Sequence, residues 1–263
     1  RAKRIGVVVN LFTVDFNLYR NLSKVLEIND IEPEFYLPQS VSLLSSILED
    51  EEKNDGGLIV NMGGHMTELI YFKDGFMKHS KMIDRGAEEI TNSFGEWLNI
   101  TEDRARKLKE DYVTLSSEAL GVAEDRIPIN DESGKQIAVA TRMSLQEKAT
   151  NHIDKIFEFI REEIHVINSK YGKVTSVIFA GGGAKLDGII DYASEKLGIP
   201  ARLGLVRNIV GPEEVIGNPR YSTSLGMLKY LRELEQLEDV KYRGEGLLSK
   251  ISRKTKEWIE EYF

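Results

Sequence analysis

Leu58-Ile59-Val60-Asn61-Met62-Gly63-Gly64-His65-Met66-Thr67-Glu68-Leu69-Ile70-Tyr71-Phe72 is the stretch on which the fold turns. The apolar run 58–60 reads as a buried strand and 68–72 as a second, with a glycine-rich turn between them. Lys73-Asp74-Gly75 then turns the chain into a third strand over 76–83. Glycine lets backbone N–H groups approach an anion with no Cβ in the way. A second turn of this kind, Gly181-Gly182-Gly183-Ala184-Lys185, follows the apolar run 174–180 and leads into a helix over about 188–197. A helix N-terminus there favours negative charge. Either turn alone is commonly no more than a tight bend, but on two strands of one chain they point to a phosphate cradle.

Working outward, residues 5–9 form a short apolar run that predicts a strand, and Phe16, Tyr19, Leu22, Val25 and Leu26 predict a helix over 15–27. A strand is expected at 35–37, stopped by Pro38, with Ser40 capping a helix over 41–48. Residues 50–55 read as a charged, solvated turn. Downstream, Gly86 opens a helix to Trp97 and Thr101 caps another through Lys109. Residues 112–140 read as short strands and loops. Ser144-Leu145-Gln146-Glu147 has the capping-box pattern for a long helix to about 169. Asn218-Pro219 sets the cap and first-turn proline of a helix ending near Leu234, followed by a polar linker to 245. Alternating strands and helices predict an α/β fold with a largely parallel sheet, antiparallel at the hairpin.

Composition removes several classes of function. The chain has 263 residues, 41% hydrophobic and 30% charged, an ordinary globular balance. There is no cysteine, which excludes a disulfide framework, a thiolate metal site and a cysteine nucleophile. His65, His79, His152 and His165 are too scattered for a zinc set. A formal net charge of −8 argues against nucleic acid as the main partner. No run has the apolar length of a spanning helix. Arg1 stands where a start methionine or signal peptide would be, so the chain reads as a piece of something longer.

The tail has a chemistry of its own. Residues 246–263 place Leu248, Ile251, Thr255, Trp258, Ile259 and Tyr262 on one helical face, flanked by Leu247 and Phe263. Lys250, Arg253, Lys254 and Lys256 precede the acidic Glu257, Glu260 and Glu261. A polar linker followed by an amphipathic helix with Trp and Phe is the pattern of an interfacial anchor, with docking on its own domain as the alternative. Each basic residue near an anionic leaflet adds about 1 kcal/mol, so the apolar face must supply most of a reversible attachment.

Asn61-x-Gly63-Gly64-x-x-Thr67 resembles the second phosphate loop of the actin and sugar-kinase superfamily, and residues 178–184 resemble its adenosine motif. The surrounding text is more specific. Asp74-Gly75…His79-Ser80…Ile83…Gly86…Ile90-Thr91, Ala105-x-x-Leu108-Lys109, Gly181-Gly182-Gly183-Ala184-Lys185-Leu186-x-Gly188 and Pro219-x-Tyr221-Ser222-Thr223-Ser224-x-Gly226 resemble the bacterial cell-division FtsA family in order and spacing.

That resemblance implies an actin-like (ribonuclease H-like) fold. A complete second domain is expected at 57–205, with an outer subdomain at about 86–142, and part of the first domain at 1–50 and 217–235. It implies ATP with Mg²⁺ held by Gly63, Gly64, His65, Thr67, Lys109, Gly181, Gly182, Gly183 and Lys185, with Asn61 ordering water around the metal. His65 reads equally as a plain surface-loop histidine. The implied partners are a C-terminal peptide of the tubulin-like FtsZ, met near Arg142, further copies in a filament, other division proteins and an anionic membrane. That membrane contact, on the inner face at the division site, falls to Leu247, Leu248, Ile251, Trp258, Ile259 and Phe263. The first phosphate loop lies before Arg1 in the family, so this chain alone is expected to hold nucleotide weakly or not at all. Asn61 stands at the family's Asp, Glu68 at a second Asp, His65 at a glycine and Arg106 at the Glu near the ribose. An amide orders hydrated Mg²⁺ less strongly than a carboxylate, which predicts slow or absent hydrolysis. A pilus-assembly actin-like protein (PilM) and a sugar or acid kinase are the alternatives.

Overall fold

The apolar run around Val60 becomes the central strand of a five-stranded sheet. The structure is a computed structural model that describes residues 9–33, 35–116, 126–130 and 133–243. Its first helices are α1 (Phe16–Ile28), α2 (Gln39–Ile47) and α3 (Asp50–Asp55). Next come β1 (Gly57–Met62), β2 (Thr67–Lys73), β3 (Phe76–Ile83), α4 (Glu88–Leu98) and α5 (Glu102–Tyr112). A small hairpin, β4 (Arg126–Asn130) and β5 (Gln136–Thr141), leads into α6 (Arg142–Lys170). Then follow β6 (Ser176–Ala180), α7 (Ile189–Leu197), β7 (Ala201–Leu203), α8 (Glu213–Ile216) and α9 (Ser222–Arg243).

The main sheet has the order β3-β2-β1-β6-β7. β1 pairs antiparallel with β2 and parallel with β6, so the sheet is mixed rather than largely parallel. Every residue of β1 is buried, as a strand covered on both faces requires. Leu58, Val60, Met62, Leu69 and Tyr71 face a core shared with α4, α6 and α7. Ile59, Ile70, Phe72, Ile178 and Ala180 face the other side, under α2 and the start of α9. Leu145, Ala149, Ile153, Ile156, Phe157, Ile160, Ile164 and Ile167 recur at helical spacing along α6 and are its buried stripe. Phe157 stacks on Phe179 at 6.0 Å and meets Tyr192 edge-on at 5.4 Å. Burying each such ring contributes roughly 1.5–3 kcal/mol.

Helix α9 crosses α2 on small residues. A Cβ on Gly226 would stand 2.4 Å from the Ser42 carbonyl oxygen. The Ser42 hydroxyl donates to the Thr223 carbonyl, and Ser222 donates to the Gly204 carbonyl at 2.6 Å. These contacts tie α2, β7 and α9 into one layer behind the sheet.

Several local expectations change. Residues 35–37 form no strand, because no sheet partner reaches them among the described residues; Tyr36 instead meets Tyr19 edge-on at 5.0 Å. Pro38, not Ser40, occupies the N-cap of α2, and Ser40 is buried inside the helix. The charged stretch 50–55 is a short helix, since Glu49 and Glu52 close a capping box around its first turn. The long helix begins earlier than Ser144, because Thr141 and Ser144 bond each other's backbone N–H and form the box themselves. Asn218 and Pro219 do cap, but the turn they start is a 3₁₀ turn that precedes α9. Helix α9 runs past Leu234 to Arg243, across most of the expected linker, because no glycine or proline interrupts the residues after Gly226 up to that point. The expected strand at 5–9 and the amphipathic tail with Leu247, Leu248, Ile251, Trp258, Ile259 and Phe263 fall wholly or mainly outside the described residues. Among the described residues no helix is long and apolar enough to cross a membrane.

Candidate functional site

The parallel pairing of β1 with β6 brings the two glycine turns side by side at neighbouring strand ends. Gly181 has φ +84°, and a Cβ there would stand 2.4 Å from the Met62 carbonyl oxygen, so only glycine lets the second turn lie against the first. Its N–H donates to the Pro219 carbonyl at 3.0 Å, which fixes the entry to α9 over the same corner. Gly182–Lys185 then form one 3₁₀ turn.

Helix α4 is seated on the first turn. The Ala87 and Glu88 N–H groups donate to the Gly63 and Gly64 carbonyls at 3.0 and 2.8 Å. Two of the helix's N-terminal donors are thereby satisfied by the turn. Between these elements and α5 lies a cleft of about 420 Å³. Gly63, Gly64, Gly182, Gly183 and Lys185 line it, together with Glu88, Arg106, Lys109, Glu110 and Arg220. Val113 and Leu186 form its apolar end.

Lys109 is 8% exposed, and its ammonium donates to the Ala87 carbonyl at 3.2 Å and to Thr91 Oγ1 at 2.7 Å. Glu88 Oε2 lies 3.6 Å away. Burial pulls the Lys109 pKa down, and the neighbouring Glu88 charge pulls it back up in part. The lysine therefore ties α5 to the start of α4. Arg106 is the more exposed cation of the pair: it bonds Glu102 and sits 2.8 Å from Glu88 Oε1. Glu88 is 9% exposed and meets both cations.

The other residues expected at the site are placed differently. Thr67 is fully buried, and its hydroxyl donates to the Arg85 carbonyl at 2.8 Å, pinning the hairpin from below the cleft. His65 is exposed on the turn and does not line the cleft. Asn61 is 9% exposed and stands opposite Glu68 on β2. Glu68 accepts from Gln39 Nε2 at 2.7 Å and from Ser80 at 3.4 Å; burial raises its pKa, and these two bonds oppose the rise. Arg142 starts α6 with its guanidinium 5.7 Å from the centre of the Tyr112 ring, among residues that do not line the cleft. Glu88, Glu110 and Arg220 line the cleft without having been expected there. The first had a signal in Gly86-x-Glu88, an acid in the first turn of a helix that starts at a glycine.

The arrangement fits a phosphorylated ligand. Two backbone turns made of glycine face one opening, Lys185 and Arg220 supply positive charge, and an apolar end takes a ring. Mg²⁺ would find the Asn61 amide and the Glu68 carboxylate nearby, but no metal-ligating cluster of three His, Asp or Glu exists among the described residues. Any metal there would lean on the ligand's own phosphates.

A sequence model of the family described as Cell division protein FtsA matches residues 58–226. FtsA of Pseudomonas aeruginosa is 24% identical over 229 residues, covering 86% of this chain and 54% of its own length. FtsA of Neisseria meningitidis is 24% identical, covering 99% of the chain and 64% of its own length. FtsA of Borreliella burgdorferi is 28% identical, covering 84% and 55%. The chain thus spans little more than half to about two thirds of these curated relatives. Among solved structures, MreB 5 of Spiroplasma citri bound to AMPPNP superposes with a TM-score of 0.64 at 16% identity, over 86% of this chain and 67% of that one. A PilM–PilN type IV pilus biogenesis complex gives 0.59 at 12% identity, over 79% and 56%. These structural likenesses establish the actin-like fold and nothing finer.

Proposed function

The chain belongs to the FtsA family of cell-division proteins, and from that premise we propose that it is part of an ATP-binding scaffold tethering FtsZ filaments to the inner face of the cytoplasmic membrane. The observation that carries the nucleotide half is the juxtaposition of two glycine turns, on neighbouring strands, around one cleft. The nucleotide named in the MreB 5 structure supports the same reading by analogy of fold. Gly63, Gly64, Gly182, Gly183 and Lys185 hold the phosphates, and Lys109 braces the wall they stand on. Gly181 sets the second turn. Thr67 supports the hairpin from beneath, while His65 reaches the phosphates only by turning in from the surface. Asn61 orders water around Mg²⁺, with an amide where a carboxylate would hold it harder, so hydrolysis is slow or absent.

Residues 57–205 form the second actin-like domain in this reading, with the outer subdomain at about 86–142. Residues 1–50 and 217–235 contribute to the first, and the packing of α2 against α9 supports that grouping. Arg142, on the outer part, receives the acidic FtsZ peptide. Assembly into filaments and contact with other division proteins complete the role, and the tail at 246–263 supplies the membrane contact. The pilus-assembly alternative has only the fold in its favour, since the family model that matches is FtsA.

Two measurements test this. Titration with ATP and Mg²⁺ to millimolar concentration reads the cleft, and no binding by the full chain would remove the nucleotide half. Co-sedimentation with anionic vesicles compares the chain with a version ending at Glu245. Loss of binding on truncation is expected, and retained binding would remove the anchor.

A further inference from the structure

Helix α9 carries an apolar stripe that stays open beyond its crossing with α2. Leu225 and Gly226 are buried at that crossing. One turn further Leu228 is 59% exposed, and Leu234 is 37% exposed with Leu231 half-buried between them. These leucines recur every third residue and so share one side of the helix. The sequence that follows α9 has what would cover them. Gly244-Glu245-Gly246 is a helix stop and a tight turn. As a helix, residues 246–263 would be about 27 Å long against about 33 Å for α9, so folded back they would span from Arg243 to about Leu228. Ile259 and Tyr262 would then come opposite Leu231 and Leu228. The charges alternate to match. Along α9 the sequence runs Lys229 and Arg232, then Glu233, Glu235, Glu238 and Asp239. Along the tail it runs Lys250, Arg253, Lys254 and Lys256, then Glu257, Glu260 and Glu261. Folding back sets the tail's bases beside the acids of α9 and its acids beside Lys229 and Arg232. Helix α1 also exposes apolar residues, at Phe16, Leu22 and Ile28, but a short turn gives α9 the higher effective concentration.

We propose that residues 246–263 dock on α9 as an antiparallel helix, with Trp258 and Ile259 against Leu228, Leu231 and Leu234, and that an anionic lipid surface competes for the same face of the tail. The docking stands on α9 and the tail alone. Its competition with lipid rests on the anchor reading above, and makes membrane attachment a choice between two partners of one apolar face.

The test uses the full chain with Trp97→Phe, which leaves Trp258 as its one tryptophan. Without lipid, Trp258 emission should be blue-shifted and quenched less by acrylamide than in the same chain carrying Leu231→Glu and Leu234→Glu, matched by circular dichroism. Lys229→Glu with Arg232→Glu should likewise release Trp258, and adding Glu260→Lys with Glu261→Lys should restore its shielding. Equal quenching in parent and variants, or shielding that disappears on dilution as a contact with a second copy would, overturns the docking. On vesicles of phosphatidylglycerol and phosphatidylcholine, the Leu231→Glu, Leu234→Glu chain should bind at least about threefold more tightly than its parent, because its tail is no longer held back. Equal vesicle binding overturns the competition. Absence of vesicle binding by either chain removes the anchor reading and the competition together, while the fluorescence still decides the docking.

Discussion

Gly86 lies against Gly64 so closely that a Cβ on Gly86 would stand 2.3 Å from the Gly64 carbonyl oxygen. The contact seats α4 on the first glycine turn and sets the width of the cleft's upper wall. Gly86→Ala must therefore push the turn and helix apart, breaking the Glu88 N–H bond to Gly64. The expected cost is about 1–3 kcal/mol in urea denaturation, with weaker nucleotide binding on top. Wild-type stability in this variant would mean that the turn is free to move.

Lys109 and Glu88 form a buried pair whose members need each other. Lys109→Met removes the donors to Ala87 and Thr91 and leaves Glu88 with Arg106 as its remaining cation among the described residues. With Arg106 still facing Glu88, the loss should stay below the about 3–5 kcal/mol of a buried charge left wholly unpaired. Adding Glu88→Gln removes the charge that Lys109 balanced, so the double variant should lose clearly less than the sum of the two singles. Additive losses in a double-mutant cycle would deny the coupling.

How much of this was legible in the sequence varies with the range of the interaction. The glycine turns and their strands were readable because strand, turn and strand are local signals: Gly57–Met62 and Thr67–Lys73 flank the first turn. The long stripe of α6 was readable for the same reason. Lys109 is expected among the nucleotide-binding residues and lines the cleft, but its engagement by Ala87 and Thr91 depends on how α4 sits on α5, which no local pattern encodes. Thr67 likewise reads as a ligand contact until its buried position and its bond to Arg85 are known. On charge density alone Asp50–Asp55 reads as a solvated turn, whereas the Glu49–Glu52 capping box makes it a helix. Residues 35–37 have strand propensity, but a strand also needs a neighbour.

Gly226 is the close-contact point between α9 and α2, with Ser42 and Ser46 across from it. Gly226→Leu cannot be accommodated by rotamer choice, because the clash is with the Ser42 backbone oxygen. It should undock α9 from α2, lowering the thermal midpoint and exposing the apolar surface around Leu43 and Leu225. Rising amide exchange confined to α2 and α9 is the expected signature. An unchanged midpoint with native exchange in both helices would mean that this crossing contributes little.

Glu68 and Glu52 should pull stability in opposite directions with pH. Burial raises the Glu68 pKa, with the bonds from Gln39 and Ser80 opposing it, so the folded state binds a proton more tightly than the unfolded chain. Its contribution to stability is present at acid pH and is lost as pH rises through the raised value. Glu52 is the reverse case. Burial is its largest influence and pushes its pKa up, but the Arg202 bond and charge, with the Glu49 backbone bond and Arg207, outweigh that and leave it lowered. Arg202 Nε donates to Glu52 Oε1 at 2.8 Å and its Nη2 reaches the Ile47 carbonyl at 2.8 Å, so this pair ties α3 to α2 and β7. Its stabilisation is present at neutral pH and is lost as pH falls through the lowered value. Glu68→Gln should therefore raise the thermal midpoint at pH 7–8 and leave it nearly unchanged near pH 4, whereas Glu52→Gln should lower it at neutral pH and matter less in acid. A Glu68→Gln variant less stable at neutral pH than at acid pH, relative to wild type, would mean that the bonds from Gln39 and Ser80 to the charged carboxylate outweigh its burial.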